Sequence, residues 1–213
     1  MCGIAGIFSR EAVPLLDERI AKMCGVMSHR GPNASGVVRI SNAVALGHSR
    51  LSIIDLNHTS NQPMLDYTGR YYVSFNGEIV NYLDLKKQLN YPFRTNSDTE
   101  VIVAALLEKG LDWFLSHAAG MFAFIVYDTM LRKVIVARDH LGIKPVLYTV
   151  SGDTLIIASE MQAILCSGLV RGRLNDAAID EYLGYRYIRE PYTLIEGVYQ
   201  VPHGCYIEFA DQW

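Results

Sequence analysis

Cys2 directly follows the initiator methionine in the opening stretch MCGIAGIFSR. A small residue at this position lets the methionine be removed, and Cys2 would then carry a thiol and a free α-amine on one residue. A thiolate is a strong nucleophile, and an α-amine with an ordinary pKa of about 7.7–8.0 exchanges protons near neutrality. A side chain activated by its own terminal amine is an established form of nucleophilic catalysis. The alternative is a small apolar residue leading into a buried strand. Three other stretches hold groups that such a nucleophile could use. In FNGE, the side-chain amide of Asn76 and the backbone N–H of Gly77 could converge on one oxygen. Asn-Gly is also the commonest pair in a two-residue hairpin turn. Arg50, in HSRLSIIDL, could fork onto a carboxylate through two parallel hydrogen bonds, or form an ordinary surface ion pair. Asp98 follows Ser97 at the start of a helical pattern, where the helix dipole favours an anion with or without a ligand.

The elements that must position these groups are legible from periodicity and turn chemistry. CGIAGIF reads as a short buried strand. LLDERIAKMCGVM places Leu16, Ile20, Met23 and Met27 on one helical face, and SHRGPNASG closes that helix with turn residues. GVVRI and AVALGHS read as strands joined at Ser41-Asn42. RLSIIDLNHTSNQPM is a long loop, of the kind that often carries function. RYYVSFNGEI reads as a strand running into an Asn-Gly turn, and NYLDLKKQL as a short helix. In SDTEVIVAALLEKG, Ser97 and Glu100 have the spacing of a capping box, and the helix is expected to end at Gly110. GMFAFIVYDTMLRKVIVARD is a strand, a turn near Asp128–Arg132 and a second strand. HLGIKP is a structural turn, followed by strands VLYTV and TLIIAS, helices EMQAILCSG and DAAIDEYLGYRY, and a last strand GCYIEFA. Strands come in runs with helices between the groups, which argues for an α+β arrangement of layers.

Composition narrows the function classes. The 213 residues are 50% apolar and 19% charged, enough to build a sizeable core. A net charge of −3 gives no electrostatic case for nucleic acid or an anionic membrane. Apolar runs are too short to span a bilayer, and the start lacks the pattern of a signal peptide, so a cytoplasmic location is expected. Cys2, Cys24, Cys166 and Cys205 are scattered and are expected to be reduced thiols, with Cys24 and Cys166 serving packing. The six histidines show no zinc-type spacing, and no metal is assigned.

Eight motifs follow one another in order: MCGI, HRGPN, HSRLSIIDL, FNGEIVNY, SDTE, FAFIVYD, RDHLGIKP and ASEMQAIL. Together they resemble the glutaminase domain of class II, N-terminal-nucleophile glutamine amidotransferases, in the asparagine synthetase branch. The resemblance covers essentially the whole chain. It implies an α+β fold, a four-layer αββα sandwich with two antiparallel sheets between helical layers, as a single domain over residues 1–213. It implies Cys2 as nucleophile with its α-amine as base, and Asn76 and Gly77 as the oxyanion hole. Arg50 would hold the glutamine α-carboxylate with backbone help from Leu51 and Ile53, and Asp98 would hold the α-ammonium. Glu78 and Arg30 would sit around the same pocket. The expected partners are L-glutamine and a synthetase domain or subunit that receives ammonia, and a homodimer is an allowed assembly. No cofactor is expected in this chain. ATP and magnesium belong to the synthetase domain, whose S-G-G-x-D-S loop this sequence lacks. Four positions depart from the family's habit: Asn33 replaces an acid, Val80 a tyrosine, and Val146-Leu147 stand where Leu-Tyr is usual. Two other readings stand beside this one, a related amidotransferase with a different acceptor and a non-catalytic assembly module. A peptidase-like hydrolase of the same kind fits SRLSIID and SDTE less well.

Overall fold

The computed structural model describes residues 1–210. In chain order the elements are β1 (Gly3–Ser9), α1 (Leu16–Val26), β2 (Ala34–Arg39), β3 (Val44–Arg50), β4 (Met64–Leu65), β5 (Tyr71–Ile79), α2 (Tyr82–Lys86), α3 (Asp98–Glu108) and α4 (Leu111–His117). There follow β6 (Gly120–Asp128), β7 (Lys133–Arg138), β8 (Leu147–Ser151), β9 (Thr154–Ala158), α5 (Met161–Cys166), α6 (Asp176–Tyr185), β10 (Tyr199–Gln200) and β11 (Tyr206–Phe209). One sheet runs β10-β8-β9-β1-β3-β2 and the other β11-β7-β6-β5-β4, with antiparallel neighbours throughout.

An antiparallel strand with one wet face alternates apolar and polar residues. β1 and β3 are instead buried at every position, which requires cover on both faces. The outer face of the first sheet packs on α1 and α5 through Ile7, Ile20, Met23, Ala45 and Ile164. That of the second packs on α3 and α4 through Val73, Phe75, Val101, Phe114 and Phe124. Between the sheets lie Ile4, Phe8 and Leu46 against Ala123, Ile125 and Val136. The layers are therefore α, β, β, α. Leu16, Ile20, Met23 and Met27 form the buried stripe of α1, as their spacing predicts. Cys24 joins that core, where burial pushes its thiol up to about 12. All four cysteines are free.

Three local expectations change. Asn76-Gly77 is not a turn. β5 runs straight through it, with Asn76 opposite Ala123 and Gly77 opposite Phe122 on β6. Nine paired residues outweigh the local preference of Asn-Gly for positive φ. The glycine is required for another reason: a Cβ at position 77 would stand 2.3 Å from the Met121 carbonyl oxygen. Second, Ser97 caps α3 by accepting the Thr99 N–H, but Glu100 does not return to the cap. Its carboxylate accepts the N–H groups of Arg94 and Thr95 instead, bracing the incoming loop. Third, α4 emerges directly after the expected helix end. Gly110 takes φ +87°, and Phe114 anchors the helix edge-on to Phe124.

Candidate active site

Alternation along the strands decides which groups meet. On β3, Val44 and Leu46 face the other sheet, so Arg50, two further steps of two along, shares that face. On β5, Val73, Phe75 and Ile79 face α3, so Asn76 and Glu78 point the opposite way, toward the nucleophile's sheet. Register sets Gly3 opposite Ser49, which brings Cys2 beside Arg50 at the open end of the sandwich. There a cavity of about 230 Å³ is lined by Cys2, Arg50, Leu51, Ile53, Asn76, Gly77, Glu78 and Asp98. These are the residues the sequence singles out, with one exception. Arg30 lies behind the cavity wall, donating Nε–H to the Cys2 carbonyl at 2.9 Å and pairing with Glu160 at 2.9 Å.

The Cys2 thiol is half-buried. The Leu51 N–H points at Sγ from 3.4 Å, yet burial pushes the thiol above its ordinary value. It therefore needs a base to become a nucleophile.

Two donors face it. Asn76 is 1% exposed, and its Nδ2 has no hydrogen-bond partner. The Gly77 N–H follows from the ladder. Phe122, opposite Gly77, exchanges its N–H and C=O with Asp139 on the β7 side, through the Asp139 carboxylate and backbone. Gly77 and Phe122 are thus a non-hydrogen-bonded pair, and the Gly77 N–H points off the free edge of β5, past the end of the two-residue β4. Phe75 and Ile79 point off the same edge. The Phe75 N–H is taken by Gln62 Oε1 at 2.6 Å and the Ile79 N–H by Asp98 Oδ2 at 3.1 Å. Between them the Gly77 N–H meets no acceptor among the described residues.

At the other end of the cavity stand Arg50 and Asp98. Arg50 gives one N–H to the Asn57 carbonyl at 2.9 Å, one to Asn61 Oδ1 at 2.7 Å and one to the Asp55 carbonyl. These bonds fold the 55–61 loop around the guanidinium and leave two of its five N–H groups free. Asp98 begins α3, is 5% exposed, and has no cationic partner among the described residues. Burial pushes its carboxyl up to about 6, against the opposing bonds from the N–H groups of Ile79 and Thr99. A forked cation and an unpaired buried carboxylate in one pocket match the two charges of an α-amino acid.

The structure also adds residues that the sequence reading passes over. Gln62, Thr99, Met121 and Lys144 line the cavity. Lys144 belongs to the HLGIKP turn, whose backbone is gathered by Asp139 through the N–H groups of Leu141, Ile143 and Lys144. The turn is structural, and it also delivers a 7% exposed lysine to the pocket. Asn33, in place of an acid, accepts the Ser52 N–H at 3.1 Å, so its amide still braces the loop after Arg50. Among the described residues, no group of His, Cys, Asp and Glu has the geometry to hold a metal, and no helix is long and apolar enough to cross a membrane.

Comparison with known proteins places this geometry. A curated relative named amidase chry2, from Gibberella zeae, is 35% identical over 97% of this chain and 32% of its own length. Asparagine synthetase [glutamine-hydrolyzing] 1 of Bacillus subtilis is 34% identical over 96% of this chain and 33% of its own length. Asparagine synthetase B of Escherichia coli is 40% identical over 78% of this chain and 30% of its own length. The chain thus spans about a third of these relatives. Among solved structures, glutamine phosphoribosylpyrophosphate amidotransferase from B. subtilis superposes with a TM-score of 0.66 at 25% identity, over 78% of this chain and 44% of that one. The family profile of the glutamine amidotransferase domain matches residues 1–213. With the αββα sandwich and the cavity at its open end, this match over the whole length shows that the chain belongs to the glutamine amidotransferase domain family.

Proposed function

We propose that this chain hydrolyses L-glutamine to glutamate and ammonia, with Cys2 as nucleophile. The observation that carries the reading is the buried, unpartnered amide nitrogen of Asn76 in the same cavity as the Cys2 thiol. An orphaned buried donor costs about 1–3 kcal/mol, and a developing oxyanion is the group that would engage it. While Met1 is attached, the nitrogen of Cys2 is a peptide amide and cannot act as a base. Removal of Met1 frees the amine, which takes the thiol proton, through a water. Sγ bonds to the side-chain amide carbon, and the carbonyl electron pair moves onto oxygen, held by Asn76 Nδ2–H and the Gly77 N–H. The C–N bond then breaks, the amine's proton goes to the departing nitrogen, and ammonia leaves a γ-glutamyl thioester. Water attacks the thioester to release glutamate and the thiol. The two free N–H groups of Arg50 take the α-carboxylate, with the backbone of Leu51 and Ile53, and Asp98 takes the α-ammonium. Glu78 closes the same wall of the pocket, and Arg30 fixes the backbone of Cys2 from behind.

Ammonia is a product that a partner domain can use. Relatives about three times as long, named as glutamine-hydrolysing asparagine synthetases, support delivery to a synthetase portion, and ATP and magnesium would belong to that portion. The test of the central claim is glutamate release by the parent and by Cys2→Ala, with intact mass measured on the same samples. The parent should lack Met1 and release glutamate, and Cys2→Ala should fold and release none. Full activity with Met1 retained would refute the amine as base.

A further inference from the structure

The edge of β5 is treated unequally by its surroundings. Past the end of β4, its three outward N–H groups belong to Phe75, Gly77 and Ile79, and the first and last are plugged by side chains from distant segments. Gln62 supplies the plug at Phe75. An N–H can only donate, so the oxygen of the Gln62 carboxamide must face it, at 2.6 Å. That orientation turns Nε2 toward Thr99 Oγ1, 3.1 Å away, in the first turn of α3. The backbone behind Gln62 is fixed as well. Its carbonyl oxygen lies where a Cβ on Gly36 of β2 would be only 2.0 Å away, a space that glycine alone leaves open. From β3 in the facing sheet, His48 Nε2 meets the Phe75 carbonyl at 3.0 Å, within a fully buried environment. Both backbone groups of Phe75 are therefore held by side chains from outside its own sheet, one residue before Asn76.

We propose that Gln62 is a positioning residue for the oxyanion donors: by holding Phe75 it fixes the height of Asn76 and Gly77 against Cys2, and Thr99 holds Gln62 in that orientation. The inference rests on the glutaminase reading for its consequence in catalysis. A side chain that occupies the neighbouring edge donor also keeps the Gly77 N–H the one left open to the cavity.

The test compares the parent with Gln62→Met, Thr99→Val and Thr99→Ser in the processed chain. Displacing a reacting geometry by about 1 Å costs up to roughly a hundredfold, so Gln62→Met should lower kcat by about ten- to a hundredfold while the KM for glutamine stays within about threefold. Thr99→Val should show part of the same loss, and Thr99→Ser, which keeps the hydroxyl, should recover it. Inhibition by the γ-aldehyde analogue of glutamine gives a second readout. Its carbon bonds to Sγ and its oxygen takes up the thiol proton, occupying the oxyanion position, so its affinity should fall in step with kcat. Amide exchange read by NMR tests the plug itself, whether or not glutamate is released: Phe75 should be protected in the parent and fast in Gln62→Met, with Gly77 fast in both. Should Gln62→Met fail to fold, the contrast between Thr99→Val and Thr99→Ser decides. Parental kcat in Gln62→Met, a KM rising as much as kcat falls, or an unprotected Phe75 in the parent would overturn the inference. A parent with protected Phe75 that releases no glutamate would instead overturn the glutaminase reading.

Discussion

Replacing Asp98 by Asn should make the empty protein more stable and a worse enzyme. Burial raises the Asp98 carboxyl from 3.8 to about 6, a difference of about two units. At about 1.36 kcal/mol per unit, the ionised carboxylate costs the folded state about 3 kcal/mol above pH 6. The direction follows from proton binding. Below pH 3.8 the group is protonated in both states and costs nothing. As pH rises toward 6 the unfolded chain ionises first, so stability is lost across that window and stays lost above it. Asn is close in shape, and its side-chain oxygen can still accept the Ile79 N–H. Asp98→Asn should therefore raise the melting temperature at pH 7.5 by roughly 6–12 °C in a domain of this size, and by little at pH 4. His48 titrates in the same region with the opposite sign, since burial lowers it to about 4. Comparing parent and variant at each pH cancels that contribution. Losing a charge-assisted contact of about 1.5–3 kcal/mol should meanwhile raise the KM for glutamine about ten- to a hundredfold. The assays are a thermal melt over pH 4–8 and steady-state glutamate release. A variant that is less stable than the parent at pH 7.5, or that keeps the parental KM, would refute the view of Asp98 as an unpaired buried carboxylate awaiting an ammonium.

Asn76→Asp exchanges an N–H donor for a negative charge beside the developing oxyanion and should lower kcat by about a hundred- to a thousandfold. Near-normal kcat in a folded variant would remove Asn76 from the site. Arg50→Lys keeps the charge but loses the fork and two of the ties that shape the 55–61 loop. Its KM for glutamine should rise by about tenfold or more, with a smaller change in kcat, and an unchanged KM would place the α-carboxylate elsewhere. Given aspartate, ATP and magnesium, residues 1–213 should release glutamate and ammonia but form no asparagine, as amino-acid analysis would reveal. Asparagine formation would show that the chain activates the acceptor itself.

The chemistry-bearing residues were legible through the ordered motifs that hold them, since each one alone reads equally well as a packing thiol, a surface ion pair, a hairpin turn or a helix-start anion. A cysteine at position 2, an arginine closing a strand and an acid at a capped helix start can be read within a few residues. The stripe of α1 and the run of buried strands likewise report backbone period and burial, which suffices for an α+β layering. The conformation of Asn76-Gly77 was not legible. Its dipeptide preference points to a turn, and only pairing with Phe122 and Ala123 of β6, far along the chain, makes it part of a strand. The same pairing demands glycine at 77, through the approach of the Met121 carbonyl, and turns the Gly77 N–H toward the cavity. Glu100 has the spacing of a capping partner but finds stronger use in the loop before the helix. Gln62 carries no local mark, and Lys144 stands in a Gly-Lys turn that reads as structural, since the importance of both lies in what stands opposite them after the chain has folded. A residue's type and its own backbone tendency are properties of short segments. Convergence, burial and the resulting charge state of Asp98 come from the gathering of positions 2, 50, 62, 76 and 98 around one cavity, which only the closed sandwich brings about.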